Sequence, residues 1–301
     1  MENLLSLAFD NLSSYDGPKI RKGLRQVEGL LAQICLSSPS GGDDGGNGSE
    51  DDEDAAAADA APSTPAARKN LGQLAQDPAF CEFFKLQEGF EWNVGLRLIS
   101  TLDRLMAKGS DGQNDLLILS ALDLLHGAML LHPPTKGLFQ REQNMNLLLD
   151  LLEPFNCPAI QSATLLTLVV ALIQVPANTR VFEGLDGLLT VTSLFKSRST
   201  SREVKLKLVE FLYFYLMPET PSIPRAAADR RDSLPDMLQR SPSKLVGAFA
   251  GDEAAARRRG GGGGVTLATA EKQQLLGRYL SNVDDLVRDL RTCAPFGGVV
   301  A

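Results

Sequence analysis

Apolar positions in this chain fall at three-and-four spacing over long stretches, and one such pattern repeats. Residues 115–153 and 158–196 align without a gap at an offset of 43. The identical pairs are Leu122/Leu165, Leu125/Leu168, Ala128/Ala171, Pro133/Pro176, Phe139/Phe182 and Leu151/Leu194. Each unit reads as an apolar helix that stops at a proline, a short polar link and a second apolar helix. A third, partial copy starting at Arg202 places Pro218 42 residues after Pro176. A period of roughly 40–47 residues built from two or three helices is that of armadillo and HEAT stacks. The expected fold is therefore all-α, an armadillo/HEAT-like helical repeat.

The flanking regions divide the chain further. Residues 1–36 predict two helices, 2–12 and 16–36, broken at Ser13-Ser14-Tyr15-Asp16. In the second, Ile20, Leu24, Val27, Leu30, Leu31 and Ile34 form one buried face. Residues 37–67 are Gly, Ser, Asp and Ala with almost no large apolar side chain, a composition that cannot offset the entropy of ordering it. They are expected to be a disordered acidic insert. Armadillo-like repeats are expected over 68–218, opening with a degenerate unit that holds Trp92, and a flexible linker over 219–267 with one short amphipathic piece at 233–250. Over 268–296 the spacing of Leu276, Tyr279, Val283, Leu286 and Leu290 predicts one amphipathic helix with a wide stripe. Such a stripe either packs back onto the solenoid as a cap or docks in a partner's groove.

Charge changes the picture less than its total suggests. Without the eight acids of residues 37–67, the formal charge of −7 becomes +1. A nearly neutral folded part gives no reason to expect nucleic-acid binding. The longest apolar run, 165–173, is about half a bilayer span, and the N-terminus does not read as a signal peptide. The expectation is a soluble intracellular protein with no membrane contact.

Catalytic chemistry finds little support. The two histidines, His126 and His132, align with Val169 and Val175 of the next unit and read as structural positions. Cys35, Cys81, Cys157 and Cys293 form no CxxC pair, which disfavours a zinc site or disulfide framework. None is followed six positions later by the arginine that a cysteine-dependent phosphatase loop requires. The glycine run 260–264 lacks the Lys and Ser/Thr of a nucleotide loop. No catalytic residue, cofactor or metal site is expected, and the chain is read as a non-enzyme. Ser241-Pro242-Ser243-Lys244 suits a proline-directed kinase, making Ser241 a candidate phosphorylation site.

Taken together, MENLLSLAFDNLSSYD, KIRKGLRQVEGLLAQICL, EFFKLQEGFEWNVGLRLI, the central repeats and LLGRYLSNVDDLVRDLR resemble the fungal cell division control protein 14 family, the septation initiation network component. That family is distinct from the phosphatase of the same name. The resemblance implies a non-catalytic regulatory or scaffold subunit that binds and activates a germinal-centre-type Ser/Thr protein kinase, promoting septum formation and cytokinesis. It implies action in the cytoplasm and at the spindle pole body, with spindle-pole scaffold proteins as further candidate partners. The acidic insert and the Arg/Gly linker depart from the family's pattern. The alternative function is a generic armadillo-type adaptor unrelated to a kinase. The residues themselves nominate Arg180, Tyr213, Phe214 and Tyr215, together with Leu276, Tyr279, Val283 and Leu286 of the C-terminal stripe, as partner-binding candidates, since a tyrosine can bury its ring and keep its hydroxyl wet. The same aromatics equally serve to close the last repeat.

Overall fold

The computed structural model describes residues 1–36, 68–107, 112–219 and 266–293, with side chains in the last stretch described as far as residue 288. The acidic insert (37–67), nearly all of the linker (219–267) with Ser241, and the side chain of Leu290 lie outside the described residues. Among the described residues every regular element is a helix. Contacts divide the chain into two compact units, residues 1–108 and 109–301.

In the first unit, α1 (Glu2–Leu12) packs on α2 (Gly17–Cys35). Leu5, Ala8, Phe9 and Leu12 face Ile20, Leu24 and Val27, all buried. The two helices meet at Gly23, where a Cβ would lie 2.9 Å from the Ala8 carbonyl oxygen and from the Leu12 nitrogen. Only a hydrogen fits there. Phe9 stacks on Trp92 with ring centroids 6.3 Å apart, and the Arg97 guanidinium lies over its ring. The chain then forms α3 (Leu71–Gln76), α4 (Pro78–Glu88) and α5 (Val94–Ala107). Buried Gln87 fixes the α4–α5 turn by accepting from the Val94 N–H (2.8 Å) and donating to the Trp92 carbonyl (3.1 Å). At the far end of α2, Leu36 and Arg68 form a single antiparallel bridge, and the Lys69 ammonium donates to the Ile34 carbonyl at 2.9 Å.

The second unit carries the repeat. Helix α6 (Asp115–Leu131) is followed by a 3-10 helix (Pro133–Gln140) and α7 (Glu142–Leu151). The next copy is α8 (Pro158–Leu172), α9 (Pro176–Gly184) and α10 (Gly187–Lys196), and α11 (Arg202–Leu216) opens the third. Helix α8 packs between α6 and α11. The Leu, Ala and Phe residues identical in the two copies are all buried, whereas of the shared prolines Pro176 is buried and Pro133 exposed. The residues ahead of the two shared prolines adopt one backbone conformation: His132 at φ −129°, ψ 84° and Val175 at φ −128°, ψ 79°. A residue before proline is pushed out of the helical region, and that sets the corner in both copies.

One expectation needs correcting here. The segment after each proline reads as a polar link, yet it is helical in both copies. Proline at the start supplies a helix-compatible φ, and Phe139 or Phe182, fully buried, anchors the turn to the core. Asn178 joins the copies by donating to the Lys136 carbonyl (2.8 Å) and the Ala171 carbonyl (2.6 Å). Gly187 is pressed against the Phe182 ring so closely that a Cβ would lie 2.3 Å from it.

A second correction concerns the C-terminus. The single helix expected over 268–296 is two, α12 (Thr269–Gly277) and α13 (Val283–Cys293), both packed on α11. The hydrophobic spacing survives the break because both pieces bury side chains against the same helix.

Candidate protein-interaction site

The end of α11 is the most heavily wired part of the second unit. Tyr215, buried near the end of that helix, donates its hydroxyl to Glu183 Oε1 on α9 at 2.7 Å. Arg180, one turn earlier on α9, pairs with Glu183 at 3.1 Å and with Glu219 at 2.6 Å. Lys272 on α12 reaches the same Glu219 oxygen at 3.1 Å, donates to the Met217 carbonyl at 3.1 Å and sits 5.1 Å from the centre of the Tyr215 ring. The second Glu219 oxygen accepts the Leu267 N–H at 2.9 Å, while the Glu219 N–H donates to the Leu267 carbonyl at 3.1 Å. Two cations and two carboxylates thus close on one another. The side chains of Lys272 and Glu219 are only 6% and 8% exposed.

Burial governs the titration of these groups. It pushes Glu183 above the usual carboxylate range, against the lowering effects of the Tyr215 hydroxyl and Arg180. It pulls Lys272 below the usual lysine range, against the raising effect of Glu219. Tyr215 is driven upward by burial and by its bond to Glu183. Since the folded value of Glu183 is raised, the folded chain keeps a proton that the unfolded chain has already lost above pH 4.5. Its stabilising share is complete below that pH and disappears as pH rises through the raised value. Glu183→Gln is therefore expected to flatten the fall in stability with rising pH just above 4.5, as read from urea midpoints at closely spaced pH values. An unchanged slope would show that Glu183 does not govern it.

Beside this network lies a cleft of ≈ 370 Å³, lined by Ile173, Val175, Pro176, Phe214, Met217 and Lys272 among others. The α8–α9 turn that forms one wall passes through Gln174 in the left-handed region, φ 62°. Non-glycine residues held there cost free energy and tend to cluster where a surface is shaped for use. A mostly apolar hollow with charge at one wall can take a bulky apolar side chain from another molecule.

The sequence-nominated residues divide between this region and its surroundings. Arg180 and Tyr215 come together in the network, with Tyr215 committed to internal contacts. Phe214 is half-buried and lines the cleft, its ring 6.2 Å from that of Phe211. Tyr213 is half-buried one residue earlier. Leu276 and Val283 are buried, and Tyr279 and Leu286 half-buried, the Tyr279 carbonyl accepting from the Lys196 ammonium at 2.5 Å. Glu183, Glu219 and Lys272 went unnominated; nothing in their local sequence marks these three ordinary surface residues as partners.

His132 is buried with its Nδ1 2.7 Å from the Thr135 hydroxyl, and His126 is half-buried, its imidazole pulled below its usual range chiefly by burial. Among the described residues no group of three or more His, Cys, Asp or Glu is placed to hold a metal ion. No single helix among them is long and apolar enough to cross a membrane.

These features define an all-helical protein with a repeated helix order and an ion network that ties its C-terminal helices to the last repeat. The chain belongs to the family described as cell division control protein 14, SIN component, whose profile matches residues 1–296. It is similar to "Cell division control protein 14" of Schizosaccharomyces pombe (strain 972 / ATCC 24843), with 27% identity over 305 residues that cover 99% of this chain and 97% of that protein. No solved structure matches the chain. The resemblance read from the sequence is thereby established, and with it membership of a cell-division component family.

Proposed function

We propose that the chain is a non-catalytic regulatory subunit that binds and activates a germinal-centre-type Ser/Thr protein kinase of the septation initiation network, promoting septum formation and cytokinesis. In this reading its helices stack in the armadillo/HEAT manner, and it acts in the cytoplasm and at the spindle pole body. The observation that carries the proposal is the cleft beside Phe214: a preformed, largely apolar hollow on a repeat unit, backed by a buried ion network that holds its walls. Apolar anchors entering such pockets dominate the energetics of protein interfaces. Family membership supplies the cell-division setting.

The test uses the full chain and the purified kinase. Ile173 is partly exposed at the cleft, and its side chain can be changed without opening the core. Ile173→Glu is expected to weaken kinase binding about tenfold or more, as loss of an interface anchor does, with the thermal midpoint unchanged. Kinase activity stimulated by the chain should fall in parallel. Undiminished binding would remove the cleft from the interface. Failure of the unaltered chain to bind any such kinase, while it captures unstructured peptides, would transfer the reading to a general adaptor.

A further inference from the structure

Helix α2 divides its surface by charge. Ile20, Gly23, Leu24, Val27, Leu31 and Ile34 are buried along one side, while Lys19, Arg21, Lys22 and Arg25 are exposed on the other. None of these four bases is paired with an acid among the described residues, although Asp16 and Glu28 are close in sequence. The only segment of comparable opposite charge in the chain is residues 43–54, which hold Asp43, Asp44, Glu50, Asp51, Asp52, Glu53 and Asp54, within a stretch that has no Lys or Arg. That stretch leaves and returns at the C-terminal end of the same helix, where Leu36 bridges Arg68 and the Lys69 N–H donates to the Cys35 carbonyl at 3.0 Å.

The distances match. At about 1.5 Å per residue, Arg25 lies roughly 15 Å and Arg21 roughly 21 Å along the helix from Cys35. A random coil of seven residues, the separation of Asp43 from Leu36, has an end-to-end distance of about 15 Å, and coils of 14 to 18 residues, the separation of Glu50–Asp54 from either anchor, reach about 20–24 Å. We propose that the outer face of α2 is a docking surface for acidic polypeptide, and that its resident ligand is the chain's own run Asp43–Asp54. Single exposed ion pairs contribute little. Seven acids held by both ends beside four bases act together at an effective concentration of order millimolar. An acidic segment of another protein reaches α2 only by displacing them. This inference is independent of the kinase reading.

The test couples carboxylates to lysine amines with a zero-length carbodiimide in an equimolar mixture of isotopically light and heavy full-length chains, followed by peptide mapping. Links from Asp43–Asp54 should concentrate on Lys19 and Lys22 and join residues of the same chain. They should drop about fivefold or more in 1 M salt, where screening shortens to about 3 Å, and drop comparably in R21Q/R25Q, which keeps both reporter lysines. Links spread evenly over Lys85, Lys205 and Lys207, or insensitivity to salt and to R21Q/R25Q, would overturn the proposal. Links that mostly join light to heavy chains would overturn the intramolecular assignment. As a second measure, a chain with all seven acids replaced by amides should bind a fluorescent oligoglutamate probe about tenfold tighter than the native chain, removal of a tethered competitor being the cause. Equal affinity would contradict it.

Discussion

Glu219→Ala is expected to cost about 3–5 kcal/mol, the usual consequence of stripping one partner from a buried ion pair. The side chain receives Arg180, Lys272 and the Leu267 N–H at once. Its removal leaves Lys272 buried, with the Met217 carbonyl and the Tyr215 ring in place of a carboxylate. Arg180 keeps Glu183, so the damage should fall on the C-terminal helices more than on α9. Amide hydrogen exchange should accelerate across α12 well before it does in α8, and the urea midpoint should fall. A change within about 0.5 kcal/mol, the range of ordinary surface substitutions, would mean that the network does not hold α12 in place. The double variant with Lys272→Met is the informative companion. Replacing both charges with apolar groups is often nearly neutral, so the pair should recover much of what Glu219→Ala loses.

The second large effect concerns the repeat. Phe139→Ala and Phe182→Ala should each destabilise the chain by about 3–5 kcal/mol, the range for deleting a fully buried aromatic ring. Both rings anchor the short helix that follows a shared proline, and both are completely buried. Similar losses would mean that the two copies bear comparable energetic weight. Phe182 has the additional edge contact with Phe211, centroids 5.7 Å apart, so any difference should place Phe182→Ala at the higher end. Equilibrium urea unfolding of both variants decides the matter. A loss under 1 kcal/mol in either would show that the post-proline helix is not anchored as described.

How much of this was legible in the sequence follows from the range of each signal. Helix periodicity is local and repeats at a fixed offset, so the pairs Leu125/Leu168 and Ala128/Ala171 could be read directly, and so could the corner at Pro133 and Pro176. The helical state of 133–140 could not. The string PPTKGLFQ has weak intrinsic helix preference, and what stabilises it is tertiary: a buried Phe139 and the Asn178 side chain on the Lys136 carbonyl. The break between α12 and α13 was hidden for the opposite reason. Leu276, Val283 and Val287 are buried on both sides of it, and both pieces pack on α11, so the apolar spacing runs on through the break. In the candidate site, Arg180 and Tyr215 drew notice by residue type. Glu219 and Lys272 did not, because a charge pair between distant positions leaves no local trace.

The two hydrogen bonds between Glu219 and Leu267 hold the ends of a long excursion side by side. Loop-closure entropy rises only with the logarithm of length. The helices on either side are therefore indifferent to how much chain lies between those two residues. That makes the junction a natural splice point: a reporter domain with adjacent termini can be grafted there, and a cut in the excursion leaves α12 attached through non-covalent contacts alone.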